Sequence, residues 1–338
     1  MKRIKTTVAV GHVLCHDLTQ IIPGEYKGPR FKKGHIVTEE DIPVLLSMGK
    51  ETLYIYEMNE GMVHENDAAE VLCRICQGEN ISRSEVHEGK IELTSDIDGC
   101  FVLDTNRLNT INSIDEIMIA ARKGNTAVKA GDKLAGTRVI PLVIDKRKLD
   151  EAEKIMNGDP IMRVQPYVLK KAAVVTTGSE VFHGRIEDKF TPVLIEKLKV
   201  YGIEVIRHII TDDGIENVTN AVNEARGDAD VVLCTGGMSV DPDDNTPGAI
   251  KASGAEIVTY GAPVLPGAMF LLGYYDDGVP VLGLPGCVMY ANSTIFDLVM
   301  PRIAAGIRLT KQDFVAYGEG GLCLGCSPCT YPQCPFGK

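Results

Sequence analysis

The stretch DVVLCTGGMSVDPDD, residues 230–244, drives the apolar run Val231 to Cys234 into Gly236 and Gly237, then into a loop carrying Asp241, Asp243 and Asp244. A short unbroken apolar run closed by two glycines predicts a strand buried on both faces of a parallel sheet. The segment leaving the carboxyl end of such a strand is where open α/β sheets bind ligands. Asp230 opens the run at its other end.

The flanking sequence repeats the unit. A strand over 172–177 leads to a helix begun by Thr191 and Pro192, ended by Gly202, with Val193, Leu194, Ile195 and Leu198 as its apolar face. A strand over 203–211 and a helix striped by Ile215, Val218, Val222 and Ala225, stopped by Gly227, follow. This is βαβαβ, so the sheet is parallel with right-handed crossovers. Downstream, a hairpin turns at Asp277 and Gly278, and a helix runs through 290–303. The fold class expected is α/β: a three-layer αβα domain with a mostly parallel sheet over 166–310, preceded by smaller α+β regions.

Residues 1–62 read as a small α+β module with strand-like runs at 6–14 and 51–57. Its helix is capped by Thr38 or Asp41, has Pro43 in its first turn and ends at Gly49. Residues 63–165 read as a second α+β region and linker. Its helices are expected near 66–76, 113–124 and 146–156, with strands at 90–95, 99–104, 126–131 and 137–145. Residues 311–338 form a cysteine-rich tail.

A chain of 338 residues is too long for one ordinary core, so two or three domains are expected. Its 46 acidic and 35 basic residues give a net charge of −11, which opposes nucleic acid and anionic membranes as partners. No window reaches the roughly 18 apolar residues of a membrane span. The first apolar stretch is broken by Gly11, His12 and Asp17, a poor signal peptide, so a cytoplasmic protein is expected. Cysteines 15, 73, 76, 100, 234 and 287 lie among apolar neighbours and read as reduced thiols, not a disulfide framework.

Four loops should share one sheet edge. In TTGSEV, 176–181, Gly178 permits a close backbone turn while Thr177 and Ser179 offer hydroxyls. Asp212 and Asp213 follow the second strand, where they also suit a helix cap. The third loop is the opening stretch. In LPGCV, 284–288, the N–H groups past Pro285 and Gly286 would suit a phosphate. Neither a P-loop nor a G-x-G-x-x-G is present. Singly, each loop is an ordinary turn; together they point to a ligand site.

As an ordered set, these loops resemble the molybdopterin-binding domain of molybdenum-cofactor biosynthesis proteins, among them the molybdopterin molybdenumtransferases. VGHVLCHDLTQI and FKKGHIVTEEDIPVLLSMGK are similar, more weakly, to modules of the transferase branch. The resemblance implies a pterin site formed by Thr177, Gly178, Ser179, Glu180, Asp212, Asp213, Gly236, Gly237, Ser239, Pro285 and Gly286. It assigns catalytic roles to Asp188 and Asp244, the latter as a hard oxygen ligand for Mg²⁺. Arg185 and Lys189 would add positive charge, and His183 lies beside the first loop. The activity implied is molybdate insertion into adenylyl-molybdopterin with AMP release; a non-catalytic pterin carrier or regulatory protein is the alternative. A homodimer, and molybdoenzymes or other cofactor-assembly proteins as partners, follow from the same likeness. This chain departs from the transferase pattern at Asp241-Pro242, at Pro266-Gly267-Ala268-Met269, where a lysine is missing, and at Gly286-Cys287-Val288.

The tail CLGCSPCTYPQCPFGK sets Cys323, Cys326, Cys329 and Cys334 at C-x₂-C-x₂-C-x₄-C before Pro335. Four thiols so spaced can converge on Zn²⁺ or an iron–sulfur cluster. The expectation is a separable tail, whose removal from 320 onward leaves the fold intact.

Overall fold

The computed structural model describes residues 2–22, 26–55, 61–239, 241–242 and 244–338. The chain folds into two compact units, one of Met1–Asp96, Leu103–Gly124 and Ala130–Arg163, the other of Ile97–Val102, Asn125–Lys129 and Val164–Lys338.

In the first unit, helix Asp41–Ser47 packs Leu45 against Ala9, Leu14, Leu18, Phe31, Val37 and Leu53. Neither Thr38 nor Asp41 is the N-cap, which is Glu40 without a side-chain capping bond; Asp41 opens the first turn and accepts the Thr38 N–H at 2.8 Å. Two further expectations fail here. Thr6–Val8 is a 3₁₀ turn, not a strand, because Thr6 is buried with its hydroxyl on the Lys50 carbonyl. The segment 113–124 is not a helix: Ile117–Ala121 is a strand, and the helix lies upstream at Thr105–Asn112. Ile117 and Ile119 are buried while Ala120 is exposed, a period of two. The Asn112 side chain fixes this strand by bonding both the N–H and the carbonyl of Ile119, each at 2.9 Å. The strand joins an antiparallel sheet with Ile81–Arg83, Ile91–Ser95 and Lys133–Val139. The helix Glu65–Cys76 buries Cys73 and Cys76 as core thiols. Expected strand residues 56 and 57 lie outside the described residues.

The second unit contains an α/β layered domain of the class expected over 166–310, and it also takes in Ile97–Val102, Asn125–Lys129 and the tail, which were expected outside that domain. Its elements are β1 (Lys171–Thr177), α1 (Phe190–Lys199), β2 (Glu204–Thr211), α2 (Ile215–Arg226), β3 (Val231–Thr235), α3 (Thr246–Ala252), β4 (Glu256–Tyr260), β5 (Leu271–Tyr274), β6 (Pro280–Leu284), α4 (Ile295–Ala304) and α5 (Lys311–Val315). The sheet runs β2-β1-β3-β6-β5-β4. β2, β1, β3 and β6 are parallel, and β5 is antiparallel to both its neighbours. Every residue of β3 is buried. Val231 and Leu233 face α1 and α4, while Val232 and Cys234 face α2 and α3. That two-sided burial explains the unbroken apolar run and pushes the Cys234 thiol up to about 12.

Within the second helix, Ile215 is 46% exposed, and Ala221 takes its place on the buried stripe with Val218, Val222 and Ala225. The helix expected over 290–303 starts only at Ile295, after a 3₁₀ turn at Gly286–Met289. Asp230 lies at the amino end of β3, accepting the N–H groups of Lys170 and Lys171 at 2.7 and 2.9 Å, and takes no part in the loop beyond Cys234.

The tail packs on the layered domain and does not stand apart from it. Phe336 is 2% exposed within the same core as Phe296 and Leu298, and Tyr331 donates its hydroxyl to the Asp297 carbonyl at 3.1 Å. Phe336→Ala should therefore cost about 3–5 kcal/mol. Chemical denaturation checks this; an unchanged midpoint would show the tail to be a passive appendage.

Candidate functional site

Parallel strands deliver their exits to one edge, and the described loops meet there. Ser179 donates its N–H and its hydroxyl to Asp213 Oδ2 at 2.8 and 2.9 Å, tying the first loop to the second. Asn245 donates its side-chain amide to the Asp213 carbonyl at 2.9 Å, tying the second to the third. Thr177 and Thr246 bring their hydroxyls within 3.3 Å, and Thr246 donates to the Gly236 carbonyl at 2.8 Å, closing the third against the first. Gly178, Ser179, Asp213 and Asp244 are half-buried, while Glu180 and Ser239 are exposed. Asp243 lies outside the described residues.

Gly236 and Gly237 make this closure sterically feasible. Both have positive φ, +85° and +55°. A Cβ at Gly236 would collide with the Thr177 carbonyl oxygen, and one at Gly237 would come within 2.8 Å of the Thr246 hydroxyl. Glycine here answers both a left-handed turn and a close approach.

Asp244 folds the acidic loop on itself: its carboxylate accepts the Asp241 N–H at 3.1 Å, and its own N–H returns to the Asp241 carbonyl at 2.9 Å. Tyr260, leaving β4, donates its hydroxyl to the Met238 carbonyl at 2.9 Å. Burial, then the charge of Asp244, holds that phenol above its ordinary range. Asp212 lies just ahead of Gly214, the N-cap of α2, accepting the Gly214 N–H at 3.1 Å and the Asn217 amide at 2.8 Å; the amide bond leads in lowering its carboxyl.

Asp188 is held inside a network. Its carboxylate accepts the N–H groups of Phe190 and Thr191 at 2.8 and 3.2 Å and the Thr191 hydroxyl at 2.5 Å. His208 Nε2 lies 3.2 Å away and within 2.9 Å of the Thr176 hydroxyl. Burial raises the carboxyl, but these hydrogen bonds and His208 outweigh it and leave it below its usual value. Asp188 thus starts α1 and braces β1 against β2. Sequence reasoning missed Thr176, His208, Asn245, Thr246 and Tyr260. The Asp188-x-x-Thr191 spacing of a helix start was the one available signal for this network.

Pro285 is buried and Gly286 exposed at the exit of β6, on the same edge. The helix after them is a four-residue 3₁₀ turn, too short to carry a macrodipole worth an anion site. His183 bonds the Ser179 carbonyl at 2.8 Å and stays exposed, as does Arg185.

The four tail cysteines line a common cavity with Ser293 and Phe336. No disulfide joins any described cysteine. Among the described residues, no three His, Cys, Asp or Glu side chains are placed to hold a single metal ion.

Two family models match. Residues 173–305 match one described as "Probable molybdopterin binding domain", and residues 3–57 match a domain of unknown function. Over residues 173–305 the layered domain is therefore similar to molybdopterin-binding domains. A CinA-like protein of Pseudothermotoga lettingae is 40% identical over 25% of this chain and 21% of its own length. A molybdopterin molybdenumtransferase of Staphylococcus epidermidis is 30% identical over 34% of this chain and 29% of its own. The chain thus spans about a fifth to a third of these curated relatives. Among solved structures, the molybdopterin biosynthesis enzyme MoaB of Thermus thermophilus aligns at 18% identity over 41% of this chain and 98% of its own, with a TM-score of 0.35. Within the described residues no helix is long and apolar enough to cross a membrane.

Two outcomes check the site's construction. Gly236→Ala should destabilise the protein by at least about 2 kcal/mol, read by denaturant unfolding, through its left-handed φ and the Thr177 carbonyl. Asp188 titrates in the folded state below the ordinary aspartate value of 3.8, so its stabilisation is present above that pH and is lost as pH falls through the folded value. Asp188→Asn should be the less stable protein at neutral pH, with the gap closing below pH 3.8; a pH-independent gap would contradict the network.

Proposed function

We propose that the loop rim binds the phosphorylated pterin of the molybdenum cofactor and that the chain acts in assembling that cofactor. The observation that carries this is the convergence of three loops through Asp213, which accepts from Ser179 and receives the Asn245 amide on its carbonyl. Thr177, Gly178, Ser179, Glu180, Asp212, Gly236, Gly237, Ser239, Pro285 and Gly286 would then line or shape the pterin site. Its hydroxyls and turned backbone supply polar contacts that fix orientation.

The rim presents Glu180, Asp212, Asp213, Asp241 and Asp244, which repel a phosphate unless a cation intervenes. Mg²⁺ is commonly held by one or two carboxylates together with substrate phosphates, a donor set these residues fit without an all-protein cage. Asp244 would supply the carboxylate, and the ion would neutralise charge on the phosphate. Asp188, engaged by Thr191 and His208, is assigned here as a positioning residue for α1 and the first loop.

The reaction we favour for this rim is molybdenum transfer, with molybdate as substrate, adenylylated molybdopterin as acceptor and AMP as product. The 30% identity to a molybdenumtransferase across 121 residues supports it. Pro266-Gly267-Ala268-Met269, lacking a lysine, favours the second reading, a pterin carrier without turnover. A dimer and molybdoenzyme partners belong to either reading.

Isothermal titration with molybdopterin, followed by AMP assay with the adenylylated form, molybdate and Mg²⁺, tests both. Asp213→Ala should weaken pterin binding about tenfold by uncoupling the loops, the equivalent of about 1.4 kcal/mol. Asp244→Ala should remove the Mg²⁺ dependence. No heat of binding by the folded wild type would end the proposal, and binding without AMP release would select the carrier.

A further inference from the structure

We infer that the four tail cysteines hold an iron–sulfur cluster. The inference goes beyond the pterin reading and does not depend on it. The tail is a closed loop: the Gly337 N–H reaches the Gly320 carbonyl at 2.8 Å, and a Cβ at Gly320 would collide with the Lys338 carbonyl. Its entry is fixed too, since Leu265 donates to the Gly321 carbonyl at 2.8 Å and accepts the Cys323 N–H at 2.7 Å. Its exit is fixed by Phe336, buried in the domain core, and by Tyr331 on Asp297.

Between these anchors the chain forms neither helix nor strand, yet all four thiols line one cavity. Cys323 and Cys334 rest against the core, while Cys326 and Cys329 are exposed. Apolar packing explains the first pair and gives no reason for the second. Exposed thiols that are neither packed nor paired are reactive liabilities, and a ligand shared by all four removes that liability.

Spacing and placement together choose the ligand. Three cysteines at C-x₂-C-x₂-C, with a fourth directly before proline, resemble the ferredoxin run with one extra residue in the last gap; in two-cluster ferredoxins that fourth cysteine serves the other cluster, whereas here all four thiols line one cavity. A multi-iron core takes its thiolates on more than one iron. The cluster would fasten Cys323, and through it Leu265 and the Pro266-Gly267 turn, whose Pro266 carbonyl accepts the Ile295 N–H at 3.3 Å.

The test uses the full chain, purified anaerobically and, where iron is low, reconstituted with iron, sulfide and dithiothreitol. About two to four iron atoms and as many acid-labile sulfides per chain are expected, with visible thiolate-to-iron absorption. Cys326→Ser combined with Cys329→Ser should lower bound iron roughly tenfold or more, and because both residues are exposed, the circular dichroism spectrum should not change. Three results would overturn the cluster: a natively folded chain that takes up no iron, one zinc per chain with no iron, or full iron retention by the double variant.

Discussion

The layered domain depends on one constraint, the burial of Val231–Thr235 on both faces and along both edges. A strand enclosed in this way has no solvent-facing side on which to leave the sheet. Its chain must turn sharply at the carboxyl end, and there the Thr177 carbonyl of the neighbouring strand already occupies the space a side chain would need. Gly236 and Gly237 are the solution. Once the turn is made, the Thr246 hydroxyl at the start of α3 donates to the Gly236 carbonyl, and Asn245 is brought over Asp213. The rim is therefore a consequence of core burial and not an addition to it.

The same logic separates carboxylates that build from carboxylates that remain available. Asp188 and Asp212 each accept backbone N–H groups at a helix start, and these bonds help hold both below their usual values. Asp213 commits one oxygen to Ser179 but stands between three loops, so its bond is also the one that sets their separation. Asp244 closes a turn at the tip of the third loop. Acidic residues near a strand end thus divide into braces at helix starts, a bridge and a tip.

Much of the domain was legible because its strands are extreme cases: fully apolar runs, glycine exits and helices with clear stops. The errors fall where a short segment supports two periodicities. Ile117, Met118 and Ile119 fit a helix face as well as a strand, and the arbiter is Asn112, whose amide engages Ile119 across seven residues. Ile215 shows the reverse: it matches the helical stripe, but it lies in the first turn, beyond the reach of the core. His208 was invisible because it sits on an edge strand, and only the alignment of β2 with β1 brings it to Thr176 and Asp188. The tail looked detachable because cysteines and prolines carry no periodicity, so nothing in the pattern marks Phe336 as a core residue.

That docking of the tail gives the rim a fourth support. β4 runs in the same direction as β6, so its exit, the loop through Pro266 and Gly267, opens on the same edge as Gly236 and Pro285. Tyr260 fastens the start of that exit to the acidic loop through Met238, and Leu265 fastens its end to Gly321 and Cys323. Gly267, at φ +126°, leaves room for Ile295, where a Cβ would come within 2.5 Å. The loop that lacks the transferase lysine is therefore held on one side by the acidic loop and on the other by the cysteine tail. Leu265 therefore carries the backbone hydrogen bonds that join the cysteine tail to the loop ahead of Pro266.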